Sequence, residues 1–286
     1  MTPGFVFSFH PHAIYIIMFY GCDNVEFIVL ASGSGGNATY LKINERRFLI
    51  DAGISYRQIL ARLAAQNETP TRIDGVFLTH EHVDHVGFLV AIVHKWKCPV
   101  FLTEGTKRNL PRVIRENLKE EFFHVIGFDE PVLLDGLAVK AFVTYHDALE
   151  PCGYHFTAGG KSLVYMTDTG YFPDKGFNLI RNADAYIIEA NHDPEMLLES
   201  DRPWILKRRI LDDQGHLSNE DSAFLLVNLV GDRTKTIVLA HLSQECNTPE
   251  KALATYRDVF AKQGLILDQY RIVCALQDTP LESELV

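Results

Sequence analysis

Short apolar runs recur along the chain, broken by glycine, proline and polar residues, and stretches with apolar positions at helical spacing fall between them. Residues 26–31, 38–43 and 47–50 read as strands, 56–65 as an amphipathic helix, and the run ending at Leu78 as a buried central strand followed by a helix over 86–96. Strand 98–102 and a helix over 106–118 that tolerates Pro111 come next. Two hairpins are predicted, 132–134 with 137–144 across Asp135-Gly136, and 154–157 with 162–166 over Gly159-Gly160. The remainder reads as strand 185–189, a helical stretch from about 194, a helix over 223–229 opened by Ser218 and Asp221, strand 236–240, a helix from Thr248-Pro249 to Gly264, and strand 271–275. Strands and helices mix with no repeat and no low-complexity linker, so one α/β domain with two sheets between helices is the simplest packing.

Composition narrows the class. With 286 residues and 47% hydrophobic content the chain can bury a sizeable core unaided. Its net charge of −10 argues against coating nucleic acid by bulk charge, although a local basic patch or bound cations could hold phosphate. Five scattered cysteines with no C-x-x-C pair suit a reduced, cytoplasmic protein. The apolar stretch over 4–20 is interrupted by His10-Pro11-His12, and no Lys or Arg precedes Lys42, so neither a membrane span nor a signal peptide is expected. Residues 1–20 read as an extension upstream of a domain over 21–286, with Met18 an alternative start.

The chemistry concentrates in Thr79-His80-Glu81-His82-Val83-Asp84-His85, directly after the central strand. Imidazole and carboxylate are ligands for Zn, Mn or Fe, and a turn at a strand end can aim His80, His82, Asp84 and His85 at one point. The zincin pattern H-E-x-x-H is excluded, since Asp84 stands where its second histidine belongs, and a solvated histidine-rich turn fits poorly between a buried strand and an apolar helix. The loop from Ser32 to Asn37 matches a dinucleotide fingerprint by letter, but it opens a strand rather than a helix, so no nucleotide cofactor is expected; its N–H groups could face the site. His146, Asp168 and His241 each end an apolar strand, where a site at strand ends would collect them.

The arrangement H-x-H-x-D-H, with the later His, Asp and His in that order, resembles the metallo-β-lactamase superfamily. The segments Ala31–Asn37, His146–Pro151, Thr167–Tyr171, Asn191–Asp193, Gly215–Asn219 and Ala240–Ser243 look like the YycJ/WalJ-type branch, related to RNase Z-like phosphodiesterases. The resemblance implies an αββα sandwich and two divalent ions (Zn, Mn or Fe). His80, His82 and His146 would hold one, Asp84, His85 and His241 the other, and Asp168 would bridge them. It implies direct phosphodiester hydrolysis by a water activated between the ions, with Asp84 and His216 catalytic, and 5′-to-3′ exonuclease action on duplex DNA. Asp51 would fix a ligand histidine. Asn191 and His192 suit either support of the site or substrate or a structural turn, and the basic triplet Lys207, Arg208 and Arg209 suits either the DNA backbone or a solvated helix face. The alternative on the same core is hydrolysis of a small phosphodiester or a glyoxalase II-like thioester.

Overall fold

The structure, a computed structural model, describes residues 25–286. The extension over 1–20, the alternative start at Met18 and Cys22 lie outside the described residues.

Two seven-stranded sheets repeat one plan. In the first, β1 (Val25–Ala31), β2 (Ala38–Ile43) and β3 (Arg46–Ile50) are antiparallel neighbours, and β4 (Gly75–Phe77), β5 (Val100–Leu102) and β6 (Phe123–Val125) continue from β3 in parallel. In the second, β7 (Val132–Leu134), β8 (Leu137–Val143), β9 (Cys152–Ala158) and β10 (Lys161–Met166) form the antiparallel part, and β11 (Ala185–Glu189), β12 (Thr236–Ala240) and β13 (Arg271–Cys274) the parallel part. The short strand β14 (Glu284–Leu285) closes the first sheet against β1.

Side chains alternate between layers, as a pleated strand requires. Val25, Phe27 and Val29 of β1 enter the core between the sheets, where they meet Val139, Tyr154, Phe156 and Val238 from the second sheet. Ile28 and Leu30 point the other way, toward α1 (Tyr56–Ala65), and the short α2 (Val83–Val86) and α3 (Leu89–Trp96) cover the same outer face together with α4 (Glu104–Asn109) and α5 (Arg112–Asn117). The outer face of the second sheet carries α6 (Phe177–Ile180), α9 (Asn219–Leu229) and α10 (Pro249–Lys262), where Ile237 and Leu239 face Leu226, Tyr256 and Phe260; α7 (Pro194–Glu199) and α8 (Trp204–Leu211) form a separate small cluster through Leu197, Ile210 and Cys246. The result is the expected αββα sandwich of two mixed sheets. No helix among the described residues is long and apolar enough to cross a membrane.

Three predicted helices are divided. The helix expected over 86–96 begins at Val83 and breaks at Gly87-Phe88, where the Phe88 N–H leaves the helical ladder to donate to Ala52 O at 2.9 Å. Pro111 is not tolerated inside a helix: it forces Leu110 to an extended ψ of 140° and separates α4 from α5. Pro203 likewise separates α7 from α8. The caps at Ser218 and Thr248 are as expected, each side-chain oxygen accepting from a backbone N–H three residues on. The strands β6 and β14 are additions to the predicted set.

Candidate metal centre

The parallel parts of both sheets send their C-terminal strand ends to one side of the sandwich, the place where open α/β sheets collect functional loops. Asp51 follows β3, His80 follows β4, Asp168 follows β10 and His241 follows β12. Asp51, Asp168 and His241 leave their strands with φ of 63°, 56° and 56°, in the left-handed region. Each such turn costs about 1–3 kcal/mol and persists only where the surroundings fix it. Here the surroundings are buried hydrogen bonds: the Asp51 N–H donates to Phe77 O at 2.8 Å, and the His241 N–H to Ser32 Oγ at 2.7 Å.

The seven candidate ligands converge. His80, His82 and His146 bring one ring nitrogen each within 4.8 Å of one another, and Asp84, His85 and His241 form a second such group. Asp168 stands between them, with Oδ2 3.3 Å from His85 Nε2 and Oδ1 3.4 Å from His241 Nδ1 and 3.9 Å from His146 Nε2. Nδ1 is occupied in four of the five histidines. His85 Nδ1 lies 2.8 Å from Asp51 Oδ2, His80 Nδ1 3.0 Å from Thr79 Oγ1, His146 Nδ1 3.0 Å from Gly215 O, and His241 Nδ1 2.9 Å from Glu189 Oε1. Holding Nδ1 in this way orients Nε2 inward, the usual second layer of a histidine metal site. The inward atoms His80 Nε2, Asp168 Oδ2 and His241 Nε2 are buried with no hydrogen-bond partner among the described residues.

Charge points the same way. Asp51, Asp84, Asp168 and Glu189 crowd around His85 and His241. For His85, burial disfavours the proton but Asp168, Asp51 and Asp84 outweigh it and raise the imidazole well above its ordinary range; for His241 the same contest, with Asp168, Asp84 and Glu189, ends at about 10. His80, buried and facing His85, His146 and His82, is pushed well below its ordinary range. A buried group of carboxylates that draws protons onto neighbouring imidazoles is a group that favours cations. The donor set therefore fits metal, on both orphaned atoms and charge.

Several residues stand where the sequence had not assigned them. Glu189 is fully buried at the end of β11, and its carboxylate accepts from Thr169 N at 3.0 Å and Leu217 N at 3.1 Å while meeting His216 Nδ1 at 2.8 Å and His241 Nδ1 at 2.9 Å. The available signal was another apolar strand ending on a charged residue, but Asn191-His192-Asp193 beyond it drew the reading away. Asp147 lies 3.4 Å from His146 Nε2 and 3.7 Å from His82 Nε2. Asn37 Nδ2 approaches His85 Nε2 at 3.0 Å and Asp84 Oδ2 at 3.4 Å. Four N–H groups of the glycine loop are turned to protein acceptors, those of Gly33, Gly35, Gly36 and Asn37 donating to Asn37 Oδ1, Gln277 Oε1, Gly33 O and Asp84 O, while Ser34 lines the cavity over the site.

The remaining candidates divide. Asp51 sits against His85, and Asn191 Nδ2 donates to His241 O at 2.9 Å. His192 is buried with neither ring nitrogen partnered among the described residues, and it is in none of the candidate metal groups. The basic triplet separates completely. Lys207 is buried, its Nζ donating to Leu198 O at 2.6 Å and Ser200 O at 2.7 Å, so it ties α8 to the preceding loop and is withheld from any ligand. Arg208 is exposed, and Arg209 meets Asp147 Oδ2 at 2.5 Å beside the cluster. A cavity of about 480 Å³ opens over the site, lined by His216, His241, Ser34, Arg202 and Arg209 among others.

A four-layer αββα sandwich with histidines and carboxylates gathered at its strand ends defines a metal-site protein of the metallo-β-lactamase fold. The chain belongs to the beta-lactamase superfamily, whose domain model matches residues 46–242. It is 37% identical over 246 residues to exodeoxyribonuclease WalJ of Streptococcus pneumoniae serotype 2, covering 84% of this chain and 90% of that protein. It is 36% identical over 240 residues to exodeoxyribonuclease YycJ of Bacillus anthracis, with the same coverage. Among solved structures, the metallo-beta-lactamase fold protein YhfI from Bacillus subtilis superposes with a TM-score of 0.67 over 91% of this chain and 99% of that one, at 15% identity, a likeness of fold.

Proposed function

We propose that the protein is a dinuclear metal-dependent exodeoxyribonuclease that hydrolyses duplex DNA from the 5′ end. The observation that carries the hydrolase reading is the convergence of seven ligand-type side chains, with His80 Nε2, Asp168 Oδ2 and His241 Nε2 buried and unpartnered among the described residues, beside a cavity that His241, Arg202 and Arg209 line. The similarity to two exodeoxyribonucleases along nine-tenths of their length supports DNA as the substrate.

In this reading His80, His82 and His146 would hold one divalent ion and Asp84, His85 and His241 the other, with Asp168 available to both; Zn, Mn and Fe all suit such ligands. Bound ions would supply Lewis-acid polarisation of the phosphate and a water made nucleophilic at neutral pH. The chain's own groups do the rest. Asp84, held far below the usual carboxylate range because the charges and hydrogen bonds of His85 and His241 outweigh its burial, stays ionised. Glu189 Oε1, 2.8 Å from His216 Nδ1, orients the ring at the cavity wall, where an Nε2–H would donate to the phosphate or to its leaving oxygen. Arg209 supplies a fork of donors for a phosphate beside the cluster. A cytoplasmic location belongs to the same proposal: Cys98, Cys152, Cys246 and Cys274 are free thiols, which a reducing compartment preserves.

The test is release of nucleotides from end-labelled linear duplex DNA by protein reloaded with Mn²⁺ or Zn²⁺, with Asp168→Ala as the blank. Progressive loss from the 5′ end, absent in the blank, is expected. No release by protein that holds two ions would overturn the reading.

A further inference from the structure

The helix α8 presents a face that none of the described residues covers. Trp204 is 62% exposed and Ile205 80% exposed, directly after Pro203, and Leu211 is exposed on the same side. At helical spacing, Trp204 shares a stripe with Arg208 and Leu211, and Ile205 shares one with Arg209. The buried side of the helix is Lys207 and Ile210, so α8 is anchored from below by the two hydrogen bonds of Lys207 and does not need its outer apolar residues for packing. Large exposed apolar side chains at a rigid helix start, flanked by Arg202, Arg208 and Arg209, match a ligand that offers both flat apolar rings and phosphates.

The helix also divides the approach to the cluster. On one side lies a cleft of about 410 Å³ lined by Ile205, Arg208, Arg209, Asp147, Asp212 and Gln214. On the other side is the cavity that contains His216 and His241, and Arg209 lines both. The first cleft reaches the cluster through Asp147, which is 3.4 Å from His146 Nε2. Most of the cluster is recessed: His80, His85, Asp168, His241 and His146 are no more than 5% exposed, and only His82 and Asp84 are partly exposed. A phosphodiester in a paired strand is tied to its partner strand, so reaching a recessed group requires the last pair to part.

Resting on the exodeoxyribonuclease reading, we propose that Trp204 and Ile205 form an apolar wedge against which the terminal base pair of a DNA duplex opens. One strand then passes beside Arg209 to the cluster, and its displaced partner is turned away over Arg208. Apolar side chains inserted at a base step do this work elsewhere by replacing base stacking with contact to the wedge.

The experiment compares two substrates that differ only in whether the ends are already open: a blunt duplex, and the same duplex with three mismatched pairs at each end. The proteins are wild type, the doubly substituted Trp204→Ala/Ile205→Ala, and Trp204→Phe, each metal-loaded and checked by thermal unfolding. The double variant is expected to lose about tenfold or more on the blunt duplex and no more than about threefold on the opened one, since unstacking a step is the part removed. Trp204→Phe, which keeps an aromatic ring, should recover most of the blunt-end rate. Equal losses on both substrates, or no loss on either, would overturn the wedge while leaving the nuclease reading in place. Wild-type protein inactive on both would overturn the nuclease reading, and the wedge with it.

Discussion

The two sheets follow one plan, antiparallel strands and then parallel ones, yet they furnish the site in opposite ways. The first sheet delivers His80, His82, Asp84 and His85 from a single strand end within six residues, backed by Asp51 from the neighbouring strand. The second delivers one group per strand end: His146 after β8, Asp168 after β10, Glu189 closing β11 and His241 after β12. A contiguous motif is fixed largely by local turn geometry. A distributed set depends on strand register, so it is held by a shared buried group, and Glu189 is that group: it ties His216, His241, Thr169 and Leu217 together.

The largest break in this comparison is Asp168→Ala, because Asp168 is the group of the second sheet that reaches ligands from both. Nucleotide release should fall by about 10³-fold or more, and ion content measured by atomic emission should fall with it. Next comes the pair of supporting carboxylates. Glu189→Gln should lower turnover by about 10–100-fold. Added metal should restore it only in part, because Glu189 supports the proposed ligand His241 but also His216, which is outside the proposed ligand set and loses its carboxylate partner. Asp51→Asn acts on His85 and on Thr79, whose Oγ1 also meets His80 Nδ1, so its loss, of the same order, should appear as weaker metal affinity and recover when metal is raised. Rate against metal concentration separates the two, and identical curves would erase the distinction between the halves.

The smallest expected effect concerns His192 in the second half. Burial lowers its pKa from 6.5 to about 4, so between those values the unfolded chain binds a proton that the fold refuses. Stability is therefore full above pH 6.5 and lost as pH falls toward 4, with about 2 kcal/mol gone by pH 5. His192→Phe keeps the ring shape without the titration, and thermal unfolding at pH 7 and pH 5 should show a smaller acid loss for it than for wild type.

This asymmetry also explains what could be read in advance. Most of the strands and the motif from Thr79 to His85 were legible because period and spacing are local properties. His146, Asp168 and His241 were legible only together, as three polar ends of apolar strands in the order that the superfamily uses. Glu189 was not, since nothing local distinguishes a buried strand-end glutamate from an exposed one until His216 and His241 are folded against it. Lys207 looked like its neighbours Arg208 and Arg209 because its partners are backbone carbonyls of Leu198 and Ser200, which carry no sequence signal. Pro111 and Pro203 divide helices for reasons the sequence did state, and helical periodicity across them was given too much weight.

The central claim is that the two halves complete one dinuclear centre. Its most direct test is electron paramagnetic resonance of the protein reloaded with Mn²⁺. Two ions per chain with the signature of a coupled pair, about 3.5–4 Å apart, are predicted. A single ion, or two that show no coupling, would contradict the account.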